Sequence, residues 1–280
     1  MHLSMVLLTL LLACTLRLGW VGPIGGYSQR WRSALSLFLI PSLLLVVTAL
    51  AIVIMGPQGR MFRHREGWLS YGVALGFLAI AVGLGLYLAW HGWQAVRQAR
   101  QHPKFEIAGY SGRLVGAAGV FSAQVGFWRP ELLVSQGMLD YLDESHLEAV
   151  LTHEQGHHHY HDTFWFFWLG WLRRLTFWLP QTEALWQELL LLREIRADQW
   201  AAQQIDKLIL AESLIQVVQT PLLASEEICA AFSCDAPCSR LEQRINALLD
   251  ETYYTPSPNF IPWMRLLITL SPLMLVPFHH

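Results

Sequence analysis

Charge is what this sequence has least of. Asp, Glu, Lys and Arg make up 14% of its 280 residues while apolar types reach 54%, against about 25% charged residues in an ordinary soluble domain. That scarcity excludes a typical water-soluble enzyme and indicates a chain that is mostly membrane protein. A net charge of −2 leaves no basic excess, which argues against nucleic acid as a direct partner. Cysteine is scarce as well. Cys14 stands alone in an apolar run, and Cys229, Cys234 and Cys238 lie near the end of the polar region without the paired C-x-x-C spacing of a structural zinc site. Reduced cytoplasmic thiols are the plain reading of that cluster. A three-thiolate site for a soft metal such as Cu(I), or a set of redox-sensor thiols, is the sharper one. No Lys or Arg precedes the first apolar run, so a cleaved signal peptide lacks its positive n-region, despite the lipoprotein-like Leu11-Leu12-Ala13-Cys14. No internal repeat or low-complexity tract is evident apart from one histidine cluster.

What is present is long and apolar. Ala34–Met55 and Gly67–Trp90 carry no charge at all, which predicts two transmembrane helices. A first span over residues 3–21 is long enough if Arg17 snorkels to the interface. A fourth and weaker span covers 260–278, with Arg265 near its start and Pro272 inside. The linker Asp250–Asn259 precedes it, and no sensor domain is expected after it. Thirteen tryptophans suit side chains at a membrane interface, although core positions would serve them equally. The small-residue pair Gly72 and Gly76 adds little, because that spacing is common in apolar helices. The sequence thus predicts a mainly α, multi-span membrane protein. Residues 1–96 form a three-helix membrane domain, and a polar α+β domain over 97–254 is inserted before the last span. Placing that domain in the cytoplasm puts Arg30, Arg32, Arg97, Arg100 and Lys104 inside and Arg60, Arg63 and Arg65 outside, in the sense of the positive-inside rule.

Within the polar region, Arg113–Val120 and Glu131–Ser135 read as short strands around a Gly126–Pro130 turn. Leu139–His161 reads as a helix beginning near Asp143 or Ser145, where Ser145 and Glu148 have capping-box spacing. Gln181 to about Val218 reads as a second long helix. Phe164–Pro180 is apolar but interrupted by Arg173 and Arg174, so it is expected to lie against the membrane surface or other helices, with a transmembrane hairpin as the alternative.

The chemistry concentrates in Leu147–Asp162, LEAVLTHEQGHHHYHD. Here His153, Glu154 and His157 form H-E-x-x-H, which on a helix brings two imidazoles to one face within reach of a single zinc ion. Glu154 beside them is placed to take a proton from a water held there. A catalytic zinc needs a third protein ligand. His161 lies one further step along the same face, but a straight helix cannot wrap three such side chains around a tetrahedral ion. The third ligand is therefore expected from another helix. Glu194 and Asp198, four apart, can divide the work, one binding the metal and the other accepting a ring N–H from a ligand histidine. Glu183 and Glu188 are rival ligands. His158, His159 and His161 read as spectators.

These residues resemble the BlaR/MecR antirepressor peptidases, integral-membrane zinc enzymes related to HtpX and the CAAX prenyl proteases. The resemblance rests on Gly126-Phe127-Trp128-Arg129-Pro130 followed by Leu132-Leu133-Val134-Ser135, on His153-Glu154-Gln155-Gly156-His157, on Asp162, on Phe177-Trp178-Leu179-Pro180, and on Glu194 with Ala197-Asp198. It covers roughly residues 113–200 together with the order of spans around them. It implies a gluzincin with one Zn2+ per chain held by His153, His157 and Glu194, with Glu154 as general base and Asp198 behind the ligands. It also implies a multi-pass protein of a bacterial inner membrane whose catalytic domain faces the cytoplasm and cleaves a BlaI-type winged-helix repressor. The penicillin-binding domain of the β-lactam receptors is not in this sequence, so β-lactam sensing of that kind is not expected. A housekeeping HtpX-like protease and a non-proteolytic, metal-responsive membrane sensor are the competing readings. No oxyanion-stabilising residue follows from the sequence; Arg240 and Arg244 are candidates. A strand near 113–120 is expected to bind substrate as an added strand.

Overall fold

The computed structural model describes residues 2–57, 64–107, 109–219, 237–250 and 266–278. The chain is mainly helical with one small mixed sheet and divides into two compact units. Unit 1 comprises residues 1–88, 169–189 and 255–280, and unit 2 comprises 89–168 and 190–254. The segment 169–189, which lies inside the polar range of the sequence, thus groups with the N-terminal helices.

Unit 1 is built on α1 (His2–Leu18), α2 (Tyr27–Met55) and the first part of α3 (His64–Ala99). Two helices are long and apolar enough to cross a membrane, α2 and the Trp68–Ala99 portion of α3. α1 has 17 residues, fewer than the roughly 20 a span requires. α1 and α2 pack along their length. Thr9 Oγ1 meets Thr48 Oγ1 at 3.1 Å, and Ala13 lies against Leu45 and Leu179. Arg17 does not snorkel. It is fully buried, and its guanidinium donates to Phe38 O (3.1 Å), Ser42 Oγ (3.1 Å) and Thr182 Oγ1 (3.2 Å). The physical reason is that α2 and the 176–182 turn supply acceptors closer than the interface. Residues 266–278 of the expected fourth span pack against α2, mostly as a 3₁₀ helix, Ile268–Phe278. Pro272 and Pro277 lack the N–H groups an α-helix would need there. Residues 260–265 lie outside the described residues.

Unit 2 sets a four-stranded sheet beside a helical layer. The strands are β1 (Lys104–Ile107), β2 (Tyr110–Val115), β3 (Ser122–Val125) and β4 (Glu131–Ser135), in the order β1-β2-β4-β3. β2 and β4 are parallel, and the outer pairs are antiparallel. β4 falls where the sequence predicts it. The predicted strand 113–120 is instead the shorter β2, and it is paired on both sides. It therefore has no open edge for a substrate, which corrects that expectation; β1 and β3 are the edge strands.

Side-chain alternation along β4 sorts the core. Leu132 and Val134 join Met138, Leu142, Leu147, Val150 and Leu151, residues of α4 (Gln136–Tyr141), α5 (Glu144–His159) and the bend between them. Leu133 faces the other way, onto Val125 and the end of α3 at Ala99. Each of these fully buried aliphatic side chains contributes about 1.5–3 kcal/mol. Leu139–His161 is thus two helices rather than one, broken at Leu142. The N-cap of α5 is Asp143, whose Oδ1 accepts from His146 N at 2.9 Å. Ser145, a capping-box candidate by spacing, donates to Asp143 Oδ1 instead. The predicted helix from Gln181 is likewise two, α7 (Thr182–Ala201) and α8 (Lys207–Gln219). α9 (Pro237–Leu249) completes unit 2, with Leu248 packed against Ala149, Ala201 and Leu210, and Ala247 O accepting from Gln199 Nε2 at 2.6 Å.

Candidate metal centre

α5 and α7 cross at Gly156 and Ala197. A Cβ on Gly156 would lie 3.1 Å from both the Cα and the O of Ala197, so the absence of that atom lets the two backbones approach. A glycine inside a helix costs about 1 kcal/mol relative to alanine; here it brings Glu194 to the face that carries His153 and His157.

The ligand atoms of His153, His157 and Glu194 lie within 4.8 Å of one another. His153 Nε2 and His157 Nε2 are 3.2 Å apart. Glu194 Oε2 is 3.5 Å from the first and Oε1 is 3.6 Å from the second. The other ring nitrogens also face carboxylates: His153 Nδ1 lies 2.8 Å from Asp198 Oδ1, and His157 Nδ1 hydrogen-bonds Asp162 Oδ2 at 2.7 Å. The two Nε2 atoms therefore face each other and Glu194, an arrangement suited to a shared cation. Metal–nitrogen bonds of about 2.0–2.1 Å in a tetrahedral zinc site put donors roughly 3.3 Å apart, and the distances here match. The group can therefore bind a metal ion, and a donor set of two imidazoles and one carboxylate fits zinc well.

The three carboxylates that face the histidines each meet an arginine. Arg193 donates twice to Glu194 Oε1 (2.9 and 2.7 Å), Arg244 on α9 donates to both oxygens of Asp198 (2.8 Å each), and Arg196 donates to Asp162 Oδ1. Arg196 also lies over the Tyr160 ring at 4.2 Å, and Arg193 over Phe166 at 4.9 Å. Burial pushes the Glu194 carboxyl upward, but Arg193 and then His157 outweigh it and hold it well below its ordinary range. Asp198 behaves likewise, with burial raising it and Arg244 bringing it down. Burial pulls the imidazoles down, yet Asp198 raises His153 overall, and Glu194 with Asp162 pushes His157 up to about 10. The field of the site thus favours a cation held between the two rings.

Glu154 is buried, and its Oε1 accepts from Ser122 Oγ on β3 at 2.7 Å. Gln124, two residues along the strand, donates to Glu154 O at 3.3 Å. The hairpin that carries both is closed by Gly126, whose φ of 140° suits glycine alone. A Cβ there would lie 2.9 Å from Pro130 Cα. The adjacent Phe127 packs on Phe164 and Phe167 at 4.9 Å each, which seats the hairpin on the start of α6 (Asp162–Leu175), the helix that supplies Asp162.

The remaining sequence candidates fall elsewhere. His158, His159 and His161 are exposed. α5 ends at His159, and His161 takes a left-handed φ of 52° that directs the chain into α6. Glu183 pairs with Arg173, and Glu188 forms a bidentate pair with Arg30. Arg244, an oxyanion candidate by sequence, is committed to Asp198, while Arg240 lies one turn earlier on α9. Cys229 and Cys234 lie outside the described residues, and of Cys238 only its backbone position on α9 is described. Sequence reasoning missed Asp162 as the partner of His157, the arginine pairing and Ser122. Asp162 alone carried a local signal, an acid five residues after the second histidine. No family model, curated protein or solved structure matches the chain.

Proposed function

We propose that this chain is an integral-membrane zinc metalloendopeptidase that cleaves a cytoplasmic repressor of the BlaI winged-helix type. The observation that carries the peptidase reading is the convergence of the His153 and His157 Nε2 atoms on Glu194, with each Nδ1 held by its own carboxylate. The substrate, the cytoplasmic orientation and the multi-pass topology rest on the sequence resemblance and loop charges, supported by two helices long and apolar enough to cross a membrane.

Bound zinc lowers the pKa of a water ligand towards about 7 and polarises the scissile carbonyl. The chain's own residues do the rest. Asp198 and Asp162 hold the two imidazoles in the tautomer that presents Nε2. Ser122 fixes one oxygen of Glu154, leaving the other to accept the proton of the attacking water and deliver it to the departing amine. β3, paired only with β4 among the described residues, offers its open edge to an extended substrate segment.

The test is cleavage of a purified candidate repressor by wild type and Glu154→Gln. Full proteolysis by the variant would eliminate the peptidase reading. Loss of the repressor in cells with the wild type alone supports the signalling role, and indiscriminate turnover of misfolded membrane proteins supports the housekeeping one. One bound zinc, lost with His153→Ala, and no cleavage of any partner would leave a metal sensor.

A further inference from the structure

Within unit 1, the end of α6, the turn 176–181 and the start of α7 pack against the middles of the long helices rather than their ends. Trp171 Nε1 donates to Ala81 O at 2.8 Å, halfway along α3. Thr176 Oγ1 lies 3.2 Å from Ser42 Oγ, halfway along α2. Leu179 sits in one cluster with Ala13 and Leu45. If α2 and α3 cross a bilayer with a hydrocarbon core of about 30 Å, their midpoints lie roughly 15 Å from either boundary. The turn then lies at that depth.

We propose that the α6–α7 corner is a re-entrant hairpin that turns near the middle of the bilayer, with acyl chains as the partner of its outer face. The proposal rests on reading α2 and α3 as membrane spans. Irregular backbone survives at such depth only where its polar groups are satisfied within the protein, and this turn closes several of its own. The single Thr182 hydroxyl proton is shared between Thr176 O (3.0 Å) and Leu179 O (2.9 Å), Leu179 N donates to Thr176 O (3.0 Å), and Thr176 N donates to Leu172 O (2.9 Å). A loop in water needs no such internal closure. Its exposed apolar side chains are Phe177, 76% exposed, and Trp178, 45% exposed, beside the exposed Gln181.

The charges near the corner are enclosed or clustered with one another. Arg17 is enclosed by the helices. Arg173 pairs with Glu183 at 2.8 Å and lies over the Trp186 ring at 5.2 Å. Arg173, Arg174, Thr182 and Glu183, together with Phe177, line a recess of about 370 Å³, so Arg174 lines the same recess as an acid. Charged side chains at membrane depth are found facing such cavities.

The experiment uses the full chain with Cys14, Cys229, Cys234 and Cys238 replaced by serine, and one cysteine introduced by Phe177→Cys or, as a second site, Trp178→Cys. Ile80→Cys, at an exposed position in the middle of α3, marks the core of a span, and Lys104→Cys on β1 marks the aqueous side. Each variant, checked for one bound zinc, is labelled with a nitrobenzoxadiazole fluorophore and reconstituted in phosphatidylcholine vesicles with nitroxide on acyl carbon 12 or on the headgroup. Positions 177 and 178 are expected to follow position 80, with stronger quenching by the deep nitroxide. Deep quenching at 80 with headgroup quenching, or none, at 177 and 178 overturns the hairpin and leaves the spans intact. Absence of deep quenching at 80 overturns the spans, and the hairpin with them.

Discussion

In unit 2, Arg193, Arg196 and Arg244 each meet a carboxylate, whereas in unit 1 Arg17 is enclosed by a backbone carbonyl and two hydroxyls. Both sites remove guanidinium groups from water and compensate differently, although unit 1 also holds a carboxylate-paired arginine, Arg30 with Glu188. Around the histidines, Glu194 and Asp198 stay ionised close together although burial favours their protonation. The arginines keep Glu194 and Asp198 anionic, and the anions in turn hold a positive charge between the rings. At Arg17 there is no anion to preserve. Dipoles suffice, and the guanidinium acts as a clasp joining α1, α2 and the 176–182 turn. The difference separates a site built to hold a further cation from a site built to hold helices.

The largest expected effect lies in the chemistry. Glu154→Gln should lower repressor cleavage by about 10²–10⁴-fold, the usual worth of a general base, while metal analysis still finds one zinc per chain. Next is the arginine contrast itself. Arg244→Met leaves Asp198 buried without its cation and should cost about 3–5 kcal/mol in denaturant unfolding of the detergent-solubilised protein. Arg17→Met orphans no carboxylate and should cost about 1–3 kcal/mol. Equal losses for the two would erase the distinction drawn here.

Smaller changes sharpen the comparison. Asp198→Asn and Asp162→Asn should each weaken zinc about 10–100-fold in chelator competition, with little effect on the helices of unit 1. Zinc must also displace protons, because His153 and His157 are both raised, the latter to about 10, in the metal-free protein. Below that pH the metal-free His157 ring carries a proton that the ligand form cannot keep, so apparent affinity should rise with pH up to about 10. Calorimetry in buffers of different ionisation enthalpy should register proton release on binding, and a buffer-independent heat would contradict it. Least of all, Thr176→Val in unit 1 removes one neutral hydroxyl and should shift stability by about 1 kcal/mol.

The sequence by itself determined what depends on neighbours along the chain. The uncharged runs fixed α2 and α3, the alternation of Glu131–Ser135 fixed β4, and the four-residue spacing of His153 and His157 placed both rings on one face. The i,i+4 pair Glu194 and Asp198 was legible as a ligand with its helper for the same reason. Only the tertiary structure decided which acid faces Nε2 and which accepts from Nδ1, because that depends on how closely α5 and α7 cross at Gly156 and Ala197. It alone brought Arg244 from a helix distant in sequence onto Asp198, and Ser122 from an edge strand too short to show periodicity onto Glu154. It also turned Arg17 inward, because the acceptors that enclose Arg17 come from α2 and from a turn far along the chain. Local pattern names the residues a zinc site needs; long-range packing sets their distances, and distance decides which of them share a charge.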